Sequence, residues 1–234
     1  MRVIILAGGK GVRLAPVTEV IPKPLVPLGG MPIMEVVIRR LAAQGFRCLT
    51  LAVGYLSELI QAYFQDGSRW GVDIDYAFEP EPLGTAGPLS RIPGLTEPFL
   101  VMNADILTNL DFRDLVSHHR QRGNLATIGA YECQVKIDFG VIIQNGRDRI
   151  GDYLEKPTHT HLVSMGVYMF DPEVLNFIEG PGYLDFPDLV KRLLTAEKQV
   201  GFFRFSGYWL DIGRHEDYDR ACQEFDEKKS EFFP

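Results

Sequence analysis

Five consecutive apolar residues, Val3-Ile4-Ile5-Leu6-Ala7, break off at Gly8 and Gly9, and this junction constrains the fold more than any other stretch of the chain. A strand without polar alternation must be covered on both faces, as a central strand of a parallel sheet is covered by helices. The rest of the first half keeps to that plan. Apolar residues recur at helical spacing over residues 33–44 (Met34, Val37, Ile38, Leu41), and Gly45 follows as a C-cap. Cys48–Val53 reads as strand, 56–64 as helix, 74–78 and 99–102 as strands, and Phe112–Arg122 as helix. This alternation predicts an α/β fold, a Rossmann-like doubly wound sheet that is mixed but mainly parallel.

Beyond Ala126 the character changes. Strand-like runs follow in close succession at 126–131, 139–144, 150–155 and 162–170. Short helices at 172–178 and Phe186–Thr195, a strand at Val200–Phe205 and a last helix over 215–228 complete the chain. Residues 230–234 read as a loose end. No linker-like segment and no internal repeat divides the 234 residues, so one domain is expected, its second part forming a small subdomain on the same sheet.

The formal net charge of −7 argues against nonspecific nucleic-acid binding, which needs a basic face. It leaves room for a small anionic ligand held by a few clustered cations. Cys48, Cys133 and Cys222 are odd in number and widely spaced, which fits neither a disulfide framework nor a zinc site and points to a reducing cytoplasm. No apolar run approaches the ~20 residues of a membrane span. The apolar start is too short for a secretory leader, so a first core strand is the reading.

The loop Leu6-Ala7-Gly8-Gly9-Lys10-Gly11-Val12-Arg13-Leu14 leaves that strand at its carboxyl end, where doubly wound sheets bind ligands. Glycines there let the backbone approach a phosphate, although three glycines alone also make an ordinary tight turn. The dinucleotide fingerprint does not fit, because a proline-rich stretch follows in place of a helix. The P-loop does not fit either, because no lysine followed by Ser or Thr stands at the required offset. Two cations tip the balance towards phosphate. Arg13 offers a planar fork, and Lys23 sits between Pro22 and Pro24, whose rings restrict its backbone. A lone Arg or Lys is usually a solvated charge; a lysine on a stiff mount just after such a loop is rarer.

These residues carry a resemblance. Leu-Ala-Gly-Gly-x-Gly-x-Arg-Leu-x-Pro, then Pro-Lys-Pro-Leu, then Pro-Leu-Gly-Gly-Met-Pro-Ile is similar to the N-terminal signature of the sugar-1-phosphate nucleotidyltransferases. It is nearest to the mannose- and heptose-1-phosphate guanylyltransferase-like members that lack a β-helix domain. Val12 stands where relatives often carry Thr or Ser, a change tolerable in a loop used through its backbone. The resemblance runs through nearly the whole chain and implies a nucleotide-binding half, 1–125, and a sugar-phosphate-binding half, 126–234. Many relatives add a β-helix or a regulatory segment, for which 234 residues leave no room.

What the resemblance implies about the site is specific. Asp105, in Asn103-Ala104-Asp105, matches the strand-end Asn-Gly-Asp motif with Ala104 replacing the glycine. Asp211, in Trp209-Leu210-Asp211-Ile212-Gly213, matches the late Trp-x-Asp-Ile-Gly motif. Together they resemble a magnesium pair, whereas each alone would more often be a turn or cap residue. Leu6, Ala7, Gly8, Gly9, Gly11, Arg13, Lys23, Glu79, Gly84, Thr85 and Asn103 are assigned to the nucleotide, with Gly84 leaving room for the base. Glu79 or Glu81 would accept hydrogen bonds from a guanine edge. Gly140, Glu155, Lys156, Ser164 and Tyr168 are assigned to the sugar phosphate, with Ser164 where many relatives carry Asn.

The expected reaction joins a nucleoside triphosphate to a sugar 1-phosphate and releases pyrophosphate, with Arg13, Lys23, Asp105 and Asp211 as the catalytic set. GTP with mannose or heptose 1-phosphate is the first expectation. UTP or dTTP with glucose-type or N-acetylated sugars is the second. A non-catalytic nucleotide-sugar sensor on the same fold would usually have lost one of the four charged residues, and none is missing. A polyol-phosphate cytidylyltransferase is disfavoured by Trp-Leu-Asp-Ile-Gly and by Glu155-Lys156-Pro157. Homo-oligomers are common among similar proteins, and neither nucleic acid nor membrane is expected as a partner.

Overall fold

The computed structural model describes residues 1–180 and 182–233. Its centre is a sheet of seven strands: β1 (Arg2–Ala7), β2 (Cys48–Val53), β3 (Asp73–Phe78), β4 (Phe99–Asn103), β5 (Ala126–Lys136), β6 (Thr158–Phe170) and β7 (Val200–Phe205). Their spatial order is β7-β5-β6-β4-β1-β2-β3. β1 pairs parallel with β2 and β4, β2 with β3, and β7 with β5. Only β6 opposes its neighbours, running antiparallel to both β4 and β5. The sheet is therefore mixed and mainly parallel, as the buried runs require.

The chain leaves β1 towards β2 and β3 on one side and later returns to β4 on the other. That reversal opens a crevice beyond the carboxyl end of β1, the place where open α/β sheets take ligands. Helices α1 (Ile33–Ala43), α2 (Ser57–Phe64) and α3 (Phe112–Arg122) cover one face, α4 (Phe186–Thr195) the other. Alternation along β1 shows the division: Val3 and Ile5 pack with Met34, Ile60 and Leu115, whereas Ile4 packs with Phe99, Phe186 and Leu189.

A third apolar cluster lies outside the sheet and joins the start of α1 to α5 (His215–Glu227) and α6 (Lys229–Phe232). It holds Leu28, Ile33, Leu107, Leu210, Phe225 and Phe232. The expectation of a loose end from residue 230 is therefore corrected for 230–232, while Pro234 lies outside the described residues. Phe232 is fully buried and stacks on Phe225 with ring centroids 5.6 Å apart. Arg40 also clamps the segment, donating to the carbonyls of Glu231, Phe232 and Leu110 at 2.8, 3.1 and 2.8 Å. Two aromatic anchors and a buried guanidinium outweigh the fraying expected of a terminus.

β5 and β6 run further than their apolar segments, to Lys136 and back from Thr158, and the hairpin Val141–Gln144 with Ile150–Leu154 lies between them on an exposed arm. All three cysteines are free. Among the described residues, no helix is long and apolar enough to cross a membrane.

His119 is buried in α3 with Nδ1 2.9 Å from Thr127 Oγ1, and Asn124 donates to the same hydroxyl. Burial holds its imidazolium pKa below the ordinary value of 6.5. Below about pH 6.5 the unfolded chain takes up a proton that the folded chain refuses, so stability is retained above that pH and lost as pH falls. Urea midpoints at pH 7.5 and 5.5 should fall more for the wild type than for His119→Gln. Equal acid losses in the two proteins would contradict this role.

Candidate active site

The loop after β1 is folded back onto the proline-flanked lysine. Gly11 adopts φ 64°, and a Cβ there would lie 3.1 Å from both Lys23 Cβ and Thr18 Cγ2. Thr18 Oγ1 donates to the Gly11 carbonyl at 2.9 Å. One short 3-10 turn, Val12–Leu14, carries Arg13, and another, Lys23–Leu25, carries Lys23. Pro22 enters the second turn in an extended conformation (ψ 142°), so the Lys23 backbone is set before any ligand arrives. Lys23 is only 9% exposed, unusual for a lysine and tolerable only with a counter-charge.

Asp105 supplies that counter-charge: Lys23 Nζ pairs with Asp105 Oδ2. Asp105 directly follows β4, where Ala104 N–H bonds the Leu6 carbonyl at 3.1 Å and so locks it beside β1. Asp211 arrives from far along the chain. The short strand Trp209–Asp211 pairs antiparallel with Ile106–Thr108, setting Asp211 opposite Ile106, and Ile212 N–H donates to the Asp105 carbonyl at 3.1 Å. The Arg13 guanidinium packs against this turn at Gly213, where a Cβ would make ordinary contact with it at 3.4 Å.

The electrostatics follow from this convergence. Burial raises the Asp211 carboxyl pKa, the negative charge of Asp105 raises it further, and Lys23 and Arg13 pull against both. Asp105 Oδ1 is buried and has no hydrogen-bond partner. Two partly buried carboxylates, one with an unused oxygen, are suited to a hard divalent cation. Among the described residues no group of three or more acidic, His or Cys side chains could cage a metal. The protein would therefore lend at most a carboxylate pair and leave the remaining positions to ligand oxygens and water.

Beside this cluster lies a cavity of about 440 Å³. Leu6, Ala7, Gly8, Gly9, Gly11, Arg13, Lys23, Glu79, Gly84, Thr85, Asn103 and Asp105 all line it, together with Pro82 and Leu83 of the same loop and with Tyr183, which sequence reasoning did not single out. Glu79 continues β3 through its N–H bond to the Val53 carbonyl at 2.8 Å, and burial raises its pKa. Gly8 permits its approach, because a Cβ there would stand 2.5 Å from Glu79 Oε1. Glu81 is exposed and does not line the cavity, which leaves Glu79 as the acid on the cavity wall. Gly84 sits at φ 75°, where a Cβ would meet the Leu184 carbonyl oxygen at 2.6 Å. Its glycine thus serves contact with that backbone as well as space in the cavity.

The residues assigned to the sugar phosphate divide into two groups. Ser164 Oγ donates to the Tyr168 hydroxyl at 3.0 Å beside a bulge in β6, where register with β5 shifts between Ser164 and Tyr168. Gly166 in that bulge faces Asn103, with Nδ2 2.7 Å from where its Cβ would be, and Trp209 Nε1 donates to the Met165 carbonyl at 3.0 Å. Tyr168 is also a core residue, its ring 4.2 Å from that of Phe186. Gly140, Glu155 and Lys156 belong to the exposed hairpin arm and do not line the cavity. A side chain at Gly140 would collide with the Tyr153 hydroxyl.

Known proteins resemble this chain in sequence and fold. The profile of the nucleotidyl transferase family matches residues 2–228. A UTP--glucose-1-phosphate uridylyltransferase of Synechocystis is 34% identical over 243 residues, covering 95% of this chain and 63% of its own length. A mannose-1-phosphate guanyltransferase of Schizosaccharomyces pombe is 34% identical over 227 residues, covering 93% of this chain and 62% of its own. The chain thus spans less than two thirds of the curated relatives it matches. The crystal structure of HddC from Yersinia pseudotuberculosis complexed with GMP-PN is similar with a TM-score of 0.73 at 25% identity, covering 96% of this chain and 99% of that one.

Gly84→Ala should destabilise the protein by more than about 1 kcal/mol, because an alanine at positive φ is strained and here also meets a backbone oxygen. Gly9→Ala, with nothing within 4 Å of the added carbon, should leave the urea midpoint nearly unchanged. Equal stabilities for the two variants would contradict the described geometry.

Proposed function

The chain belongs to the nucleotidyl transferase family, and from that premise we propose that it transfers a nucleotidyl group from a nucleoside triphosphate to a sugar 1-phosphate. The observation that carries this reading is the meeting of Asp105 and Asp211 with Arg13 and Lys23 at the carboxyl end of β1. In this account the triphosphate lies along the glycine loop, whose backbone N–H groups and Arg13 hold its phosphates. Lys23, already mounted in the pocket, neutralises phosphate charge. A phosphate oxygen of the sugar 1-phosphate attacks the α-phosphorus in line; the new P–O bond forms as the bond to the bridging β-oxygen breaks, and pyrophosphate departs. The attacking oxygen is already anionic, so no general base is needed and none is assigned to His118, His119, His159, His161 or His215.

Asp105 and Asp211 are the residues that would hold magnesium, which when bound supplies positive charge to the reacting phosphates. The unpartnered Oδ1 of Asp105 and the raised pKa of Asp211 support that fit. On the acceptor side, Tyr168 lies close enough to Asp211 to feel its charge and is bonded by Ser164, while Gly140, Glu155 and Lys156 of the hairpin arm are proposed to meet the sugar phosphate. The three free cysteines favour a reducing cytoplasm.

GTP with mannose or heptose 1-phosphate is the pairing we favour. Glu79, on the cavity wall, has the acceptor oxygens that a guanine N1–H and amino group require. The guanyltransferase relative and the GMP-PN complex of a similar protein lean the same way. UTP with glucose 1-phosphate is the second reading, favoured by the Synechocystis relative. A pyrophosphate-release screen of five triphosphates against a panel of sugar 1-phosphates separates the two. In the productive pairing, Asp105→Asn should lower turnover by roughly 10²-fold or more while nucleotide binding largely survives. Undiminished turnover in that variant would contradict the metal role.

A further inference from the structure

Among the described residues, three aspartates stand at the N-cap of a helical segment, and one of them does not cap. Asp111 and Asp171 accept hydrogen bonds from the backbone N–H two residues on, as N-cap side chains do. Asp185, at the N-cap of α4, makes no such bond. Its Oδ1 accepts from Thr85 N–H and Thr85 Oγ1 at 2.9 and 3.1 Å, and its Oδ2 accepts from the Tyr183 hydroxyl at 2.6 Å. Thr85 takes over part of the capping instead, its Oγ1 accepting from Phe186 N–H at 2.8 Å. The carboxylate is thus spent on joining a tyrosine to the loop that carries Gly84 and Thr85.

The backbone reinforces this junction. Ala86 and Gly87 both donate to the Leu184 carbonyl, at 2.8 and 3.0 Å, and Leu184 N–H returns a bond to the Leu83 carbonyl at 2.9 Å. Tyr183 is therefore held by an anchored segment. Yet it is 68% exposed, and the surface it lines is the cavity shared with Glu79, Gly84 and the glycine loop. An exposed aromatic whose hydroxyl is already engaged has one thing left to offer a ligand, its ring face. Such a face is recognised by a planar heterocycle.

We infer that Tyr183 covers the nucleobase of the bound triphosphate, laying its ring against the base while Asp185 holds its hydroxyl. This rests on the nucleotide reading of the cavity and deepens it. Glu79 would read the edge of the base, and Tyr183 would add affinity through its face. The phosphates, held by the glycine loop, Arg13 and Lys23, are not touched by Tyr183. The relay through Asp185 sets where the ring stands, so Asp185 acts as a positioning residue.

Calorimetric titration in magnesium buffer without sugar 1-phosphate tests this, using whichever of GTP, UTP and dTTP binds tightest, and inorganic triphosphate as a probe without a base. Tyr183→Ala should weaken the nucleotide by roughly tenfold, the scale of one lost base–aromatic stack, and leave inorganic triphosphate unchanged. Tyr183→Phe should keep most of the nucleotide affinity, because the ring remains. An equal loss for both ligands, or no loss for the nucleotide, overturns the inference while leaving the transferase reading intact. Failure of the wild type to bind any of the three triphosphates overturns both.

Discussion

The pairing of Trp209–Asp211 with Ile106–Thr108 is the contact on which the site depends, because it sets Asp211 beside Asp105. Like charges brought together in a half-buried place repel, and the fold tolerates them only by packing cations against them. Lys23 and Arg13 fill that role, each on a short turn of the segment that follows β1. The result is a cluster in which two acids and two bases from three regions of the chain hold one another in place. Such a cluster, with one carboxylate oxygen unused, is poised for a ligand bearing both a divalent cation and several phosphate oxygens.

The sheet supplies the frame that makes this meeting reproducible. β1 is an interior strand between β4 and β2, and its glycine loop emerges where the strand order reverses. Glu79 follows β3 and Asp105 follows β4, so the acids on the cavity wall inherit their positions from backbone ladders. The third apolar cluster does the same for Asp211. It binds Leu210 and Ile212, on either side of the aspartate, to Phe225 and Phe232, so the C-terminal helices act as a buttress for that residue.

Much of the fold is legible in the sequence wherever burial imposes a period. Phe112–Arg122, Phe186–Thr195 and Val200–Phe205 can be read with the bounds they have, because their apolar faces are continuous. The extension of β5 and β6 is not readable in that way. Glu132, Gln134 and Lys136 stand opposite Leu162, Thr160 and Thr158, a mostly polar, solvated ladder without a continuous apolar stripe. Residues 230–232 mislead for the opposite reason: proximity to the terminus suggests fraying, while Phe232 in fact has a buried slot waiting. For the site, motif residues point to the cavity wall, since glycines and charges in a fixed local order carry the signal. Tyr183 and Asp185 are silent in sequence, because Tyr183 bonds Asp185 and Asp185 in turn bonds Thr85, about a hundred positions earlier in the chain.

The central claim is that Asp105 and Asp211 act on a single cation next to the triphosphate. Manganese, as a paramagnetic substitute for magnesium, reports that directly when titrated in the presence of a non-hydrolysable nucleoside triphosphate. One tight manganese site is expected in the wild type, weakened by Asp211→Asn about as much as by Asp105→Asn. Full manganese affinity in Asp211→Asn, with loss only in Asp105→Asn, would contradict it.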